Sequence, residues 1–271
     1  MNDAQPTHDT PACNTRMHYG YVMDIRNMRT TTILITCALA SVMGGCVGGT
    51  WDGNVQMWGT LRGVLHDGDT SAKVRLKDVA GPHCVGIGAP EGLAGEIVVL
   101  DGKTWVAQAD GQGSTRTQHP AAPEATATFL AMATVPRWVN QHTNERLSLG
   151  ELEQSVRAAA AAANGLDPAS PFPFLVEGHF STIELHVLNG RCPFAQPKVD
   201  DDPTHDPIRT RTGGVKGILV GFYSDGPPGT LTHSGTHVHI HALLQDERHT
   251  MGHVDTVTVE PGAEIRIPAI H

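Results

Sequence analysis

Between Gly235 and Leu244 the chain reads Gly-Thr-His-Val-His-Ile-His-Ala-Leu-Leu, and after a polar stretch a further histidine, His253, precedes Val254. In an extended strand residues i and i+2 share a face, so His237, His239 and His241 would form one row of imidazoles with apolar residues behind them. This period restricts the segment to a β-strand that has one chemical face, and so requires a sheet around it. Two neutral imidazoles at adjacent positions on one face are a bidentate platform for a transition metal. His253, at the start of the next strand, is placed to supply a third ligand across the turn. An isolated His-x-His is more often a solvated polar face; three alternating histidines and a fourth on the following strand favour a metal. Three histidines leave coordination positions open, as a catalytic site requires.

The rest of the chain is strand-rich. Glu96–Leu100 is a β-branched run stopped by Asp101-Gly102, a hairpin signal, and Thr104–Gln108 returns from it. Thr126–Val135, Phe174–Leu188, Gly217–Tyr223 and Val254–Val259 are further strands; Val55–Leu65 reads as a strand or short helix, and Lys73–Val79 as a short helix. Ser148-Leu-Gly-Glu151 is a capping box opening a helix that runs through Leu152, Val156 and an alanine stretch to Asn164-Gly165. Segment 81–95 is expected to be a glycine- and proline-rich loop, 110–124 and 189–213 polar loops, and 168–173 a linker. The fold class is α+β, mostly β-sheet with few helices.

The 271 residues carry 19 Lys+Arg against 28 Asp+Glu, a formal charge of −9. That balance argues against nucleic-acid binding, which needs clustered cations to neutralise phosphates. Other chemistries lack their motifs. There is no Gly-x-Ser-x-Gly elbow and no His-Glu-x-x-His, and the glycines at 86, 88 and 92 have the wrong spacing for a dinucleotide loop.

Residues 1–46 read as an export leader: basic Arg26 and Arg29, a short apolar run, then Gly44-Gly45-Cys46. The ending resembles a bacterial lipobox with Met43 where Leu is usual, which makes Cys46 a lipidation site. A cleaved signal and a retained anchor are the alternatives, and Met23 or Met28 are alternative starts. The expected location is the bacterial cell envelope or periplasm. Residues 47–271 form the expected functional domain. After removal of the leader, Cys84 and Cys192 remain, an even pair for which a disulfide or two separate thiols are both open.

Several segments occur together in an order that resembles the α-acetolactate decarboxylase family: His66-Asp-Gly-Asp69, Gly92–Lys103, Val176-Glu-Gly-His-Phe-Ser181, Val220–Ser224, Gly235-x-His-x-His239, and Gly252-His-Val-Asp255. The resemblance covers about residues 55–260. It implies two sheet-based α+β halves, often dimeric, and a Zn2+ enzyme converting 2-acetolactate, a small anionic keto acid, to acetoin and CO2. Carried over by position, it places the metal on His237, His239 and His253, with His241 as a competing ligand if the register shifts by two. It places the active-site glutamate, as general acid/base beside a Lewis-acidic ion, on Glu96. Three positions depart from the family pattern. His186 stands where the family has an anion-binding Arg, and Ala89 where it has a Thr. Glu260 and Glu264 come early for its C-terminal glutamate. Two other readings accompany this one: a same-fold enzyme acting on another small keto or hydroxy acid, and a non-catalytic lipoprotein that binds metal. The only membrane association expected is through the leader or its lipid.

Overall fold

The structure, a computed structural model, describes residues 49–163, 166–167, 169–194 and 202–270. The leader, Cys46 and the expected Asn164-Gly165 helix stop lie outside the described residues. In chain order the first half contributes β1 (Gln56–Trp58), α1 (Leu61–Leu65), β2 (Val74–Arg75), α2 (Leu76–Val79), β3 (Cys84–Pro90), β4 (Glu96–Leu100), β5 (Lys103–Ala109), β6 (Thr115–Gln118) and β7 (Thr126–Thr134). All seven strands join one antiparallel sheet, ordered β1-β7-β3-β4-β5-β6 with β2 also on β7. The second half contributes β8 (Trp138–His142), β9 (Leu147–Ser148), α3 (Leu149–Ala162), β10 (Phe172–Val187), β11 (Ile208–Thr212), β12 (Val215–Tyr223), β13 (Val238–Leu244), β14 (Met251–Val259) and β15 (Glu264–Pro268). These eight strands form the second sheet. The two sheet-based halves expected from the resemblance are therefore present, and the chain completes one before starting the other.

Segment 81–95 is not a loop. Its centre, Cys-Val-Gly-Ile-Gly-Ala-Pro, is β3, buried throughout, between β4 and β7. A strand covered on both faces loses the polar alternation that would reveal it. Its glycines are there for contact: a Cβ on Gly88 would stand 2.2 Å from the Phe129 carbonyl oxygen. The polar stretches 110–124 and 189–213 likewise hold the edge strands β6 and β11.

Strand β10 organises the second sheet. Its first half pairs with β12 and its second half with β14, while β12, β13 and β14 pair in turn, so these four strands close on themselves. Register shifts between Phe180 and Thr182 and between Glu184 and Leu185 accommodate the change of partner. Alternation in β4 turns Ile97 and Val99 to an outer layer with Leu76 and Cys84, and Val98 to the main core shared with the second sheet. Glu96 has the same parity as Val98, which directs it inward.

Among the described residues no disulfide joins Cys84 to Cys192. Cys84 belongs to the outer layer, with Sγ against Thr134 Oγ1 at 3.4 Å, whereas Cys192 packs on the main core. The two thiols pack in different apolar layers.

Candidate metal centre

Direct pairing assembles the site. His241 of β13 is opposite His253 of β14, and His253 is opposite His186 of β10. Residues paired across antiparallel strands share a face, so the three imidazoles form one rung across three strands. His239 lies two residues before His241 on that face. The ring centroids of His239, His241 and His253 are 5.1–5.7 Å apart. The first sheet completes the cluster. Glu96, 2% exposed, brings Oε2 to 3.4 Å from His241 Nε2. Gly95 makes this placement possible: at φ +148° a Cβ there would stand 2.0 Å from the Ala107 carbonyl oxygen, so only glycine lets β4 start this close to β5.

His237 is not part of the cluster. Strand β13 begins at Val238, and the residues before it are held elsewhere: Glu153 of α3 accepts hydrogen bonds from His237 N–H at 3.1 Å and Thr236 Oγ1–H at 2.9 Å. The His237 ring stacks on Tyr223 and lies 3.1 Å from Asp225, with 54% of the side chain exposed. The row of three thus breaks at the strand end. The pair facing the cavity is His239 and His241, the register shifted by two.

Both inward histidines are oriented by carbonyl oxygens. His239 Nδ1–H donates to Leu231 and His241 Nδ1–H to Ile97, each at 2.9 Å. A carbonyl only accepts, so each Nε2 carries a lone pair. Such second partners fix metal-binding histidines in tautomer and direction. His241 Nε2 and His253 Nδ1 are buried without a hydrogen-bond partner among the described residues. Buried ring nitrogens left unsatisfied in a cluster of imidazoles fit a group that accepts lone pairs, which is what a transition metal does.

His233, in the segment between β12 and β13, stands in the sequence just before the histidine-rich strand, where its spacing gives it no ligand role. Donor atoms of His233, His239 and His253 all lie within 4.8 Å of one another, a compact set for one ion; His186, His253 and Asp255 form a second. Asp255 in the second set is already bonded to His186 Nδ1 at 2.7 Å and paired with Arg209, so the first set is the better ligand group. The only signal for His233 in the sequence is its place six residues before His239, a spacing that no strand period explains.

The electrostatics match uncharged ligands around one acid. Burial holds His239 and His253 well below the usual imidazole range, and neighbouring imidazoles push them the same way. Burial brings His233 down to about 4 and His241 to about 3. The Glu96 carboxyl is pushed well above the carboxylate range by burial and then by the Asp255 charge, against the Leu188 N–H bond to Oε1.

The cluster lines a cavity of about 30 Å³, with Ala89, Phe129, His186 and Cys192 in its wall. It has room for an ion and a water or two. Outside it lies a pocket of about 570 Å³ that shares His233 and His253 with the cavity. Ala89 and His186, two of the positions where departures from the family pattern were expected, both line the cavity. Glu260 pairs with Arg146 and Glu264 with Arg266, away from the cluster.

A sequence profile of alpha-acetolactate decarboxylase matches residues 59–271. The chain belongs to the α-acetolactate decarboxylase family. Its fold is similar to that of alpha-acetolactate decarboxylase from Bacillus subtilis strain 168, with a TM-score of 0.64 at 16% identity over 79% of this chain and 85% of that one. A Staphylococcus aureus protein of unknown function, described as similar to alpha-acetolactate decarboxylase, aligns with a TM-score of 0.61 at 18% identity over 79% of this chain and 84% of that one. Identity this low shows a shared fold alone. No curated protein sequence matches the chain. This member has a histidine cluster with a buried glutamate, and His186 lies beside it.

Proposed function

We propose that the protein decarboxylates 2-acetolactate to acetoin and CO2 at a divalent transition metal, with zinc the expected ion. The observation that supports this reading most is the packing of Glu96 against His241 inside a buried cluster in which His241 Nε2 and His253 Nδ1 have no hydrogen-bond partner among the described residues. His233, His239 and His253, whose donor atoms lie within 4.8 Å of one another, would hold the ion, with His241 beside them. When bound, it supplies Lewis-acid stabilisation of the negative charge left as CO2 departs. The chain's own residues do the rest. Burial raises the Glu96 carboxyl well above the usual carboxylate range, which favours its protonated form, and the Leu188 N–H fixes Oε1. The other oxygen, Oε2, faces the cluster and can deliver that proton to the carbanionic carbon, acting as general acid. His186, held through Nδ1 by Asp255, occupies the wall where the substrate carboxylate would be received.

The test is acetoin formation from racemic 2-acetolactate by the full chain, first stripped with a chelator and then supplied with zinc. The reading expects activity that disappears on stripping and returns with zinc. A folded, zinc-loaded protein that forms no acetoin overturns it. One observation favours a second reading: the 30 Å³ cavity is smaller than a five-carbon acid requires. On that reading the protein holds metal without turnover, and zinc binds while no small keto acid is consumed.

A further inference from the structure

Strand β14 carries one residue too many beside the cluster. Against β10, Val254 pairs with Leu185 and Thr256 with Glu184, which leaves Asp255 unpaired in a bulge. A bulge re-aims the side chain it carries. The Asp255 carboxylate stands between two imidazoles, with Oδ1 2.7 Å from His186 Nδ1 and 3.9 Å from His253 Nδ1. His253 Nδ1 is buried without a hydrogen-bond partner among the described residues. His253 is thus common to both compact donor sets, one with His233 and His239, the other with His186 and Asp255. Arg209 enters from β11, opposite His186 in the pairing of β11 with β10. Its guanidinium passes over β10 to pair with Asp255 Oδ2 on β14. Arg211, two residues on, pairs only with Glu184, the residue directly opposite it, at 3.2 Å.

We infer that Arg209 is a positioning residue: it keeps Asp255 on His186 and so withholds a carboxylate from the metal, which confines the ion to His233, His239 and His253. The inference rests on the metal reading above and deepens it. Arg209 on Oδ2 and His186 on Oδ1 occupy both oxygens of Asp255 with charge-assisted and ring N–H bonds, which fixes the carboxylate plane. Without Arg209, Oδ2 loses its partner, and a carboxylate that close to His253 would turn to the ion His253 holds. Three neutral imidazoles leave a divalent ion both of its charges and an open position. A carboxylate ligand would cancel one charge and weaken the Lewis acid. Arg209 therefore serves the centre in two ways, by preserving the charge of the ion and by keeping His186 fixed in the cavity wall.

Cobalt(II) bound to the full chain tests this, because its visible bands report the number and kind of its ligands. The wild type and Asp255→Asn should show the same bands. Arg209→Gln should shift them as a carboxylate oxygen joins the ion, and adding Asp255→Asn to that variant should restore the wild-type bands. Unchanged bands in Arg209→Gln overturn the inference, as do shifted bands that persist in the double variant. Shifted bands in Asp255→Asn alone also overturn it, since Asp255 is then already a ligand, and they leave the metal reading standing. That last comparison can be made even if Arg209→Gln does not fold. A folded wild type that binds no cobalt overturns both readings.

Discussion

At the scale of single residues, the site is a set of imidazoles whose charged forms burial disfavours, two of them aimed by carbonyl oxygens, around one buried carboxyl whose pKa burial raises. His239 is the most constrained of them, with Nδ1–H bonded to Leu231 and its ring among His233, His241 and His253. His239→Ala should weaken zinc binding by more than the roughly 10–100-fold that losing an outer-shell partner costs, read by chelator competition; unchanged affinity would remove it from the ligand set. The metal-free protein should also be acid-sensitive. His233 and His241 have pKa values of about 4 and about 3 when folded, against about 6.5 in an unfolded chain. Between those values only the unfolded chain takes up the protons, so stability falls as pH drops below about 6.5. Glu96, raised by burial, acts in the opposite direction: its contribution is present at low pH and is lost as pH rises through its folded value. Four depressed imidazoles outweigh one raised carboxyl. The melting midpoint of chelator-treated protein should therefore be lower at pH 5 than at pH 7, and an equal or higher midpoint at pH 5 would contradict the burial argument.

At the scale of elements, much was legible because period and punctuation act locally. The hairpin at Asp101-Gly102, the strands β7, β10, β12 and β14, and the Ser148–Glu151 capping box are all present, with Ser148 N–H donating to Glu151 Oε2 at 2.7 Å. Strand β3 was hidden because burial on both faces removed the alternation, and its glycines imitate loop composition. Gly88→Ala tests that account: the added Cβ meets backbone of β7, which cannot move aside. It should destabilise by about 1–3 kcal/mol or more, as overpacking does, in urea unfolding; an unchanged midpoint would show that the sheet has slack there. The row of imidazoles begins one alternate position later than the first register expected, at His239 and His241, for a related reason. Sequence period does not show where a strand begins, and Glu153 of the distant helix α3 fixes the residues just before β13. His233 stood out only as one more histidine near the strand; its place in the cluster was not readable because it arrives from a connecting segment without any period.

At the scale of the whole molecule, the site joins two sheets that the chain builds separately. The His241 hydrogen bond to the Ile97 carbonyl and the Leu188 N–H bond to Glu96 both cross from the second half to the first. An ion held by the second sheet beside Glu96 of the first would add to that connection. Zinc at a thousand times its dissociation constant should stabilise the fold by about 4 kcal/mol by mass action alone, seen as a rise in melting midpoint that a chelator reverses. A midpoint indifferent to zinc would mean that the native fold holds none. The central claim is that Glu96 and the histidine cluster act together on 2-acetolactate. The most direct measurement is acetoin formation by zinc-loaded Glu96→Gln beside the wild type, with zinc content measured in both. Loss of a positioned general acid should cost about 10²–10⁴-fold in rate with zinc retained. Equal rates in the two proteins, or no acetoin from a folded, zinc-loaded wild type, would contradict the account.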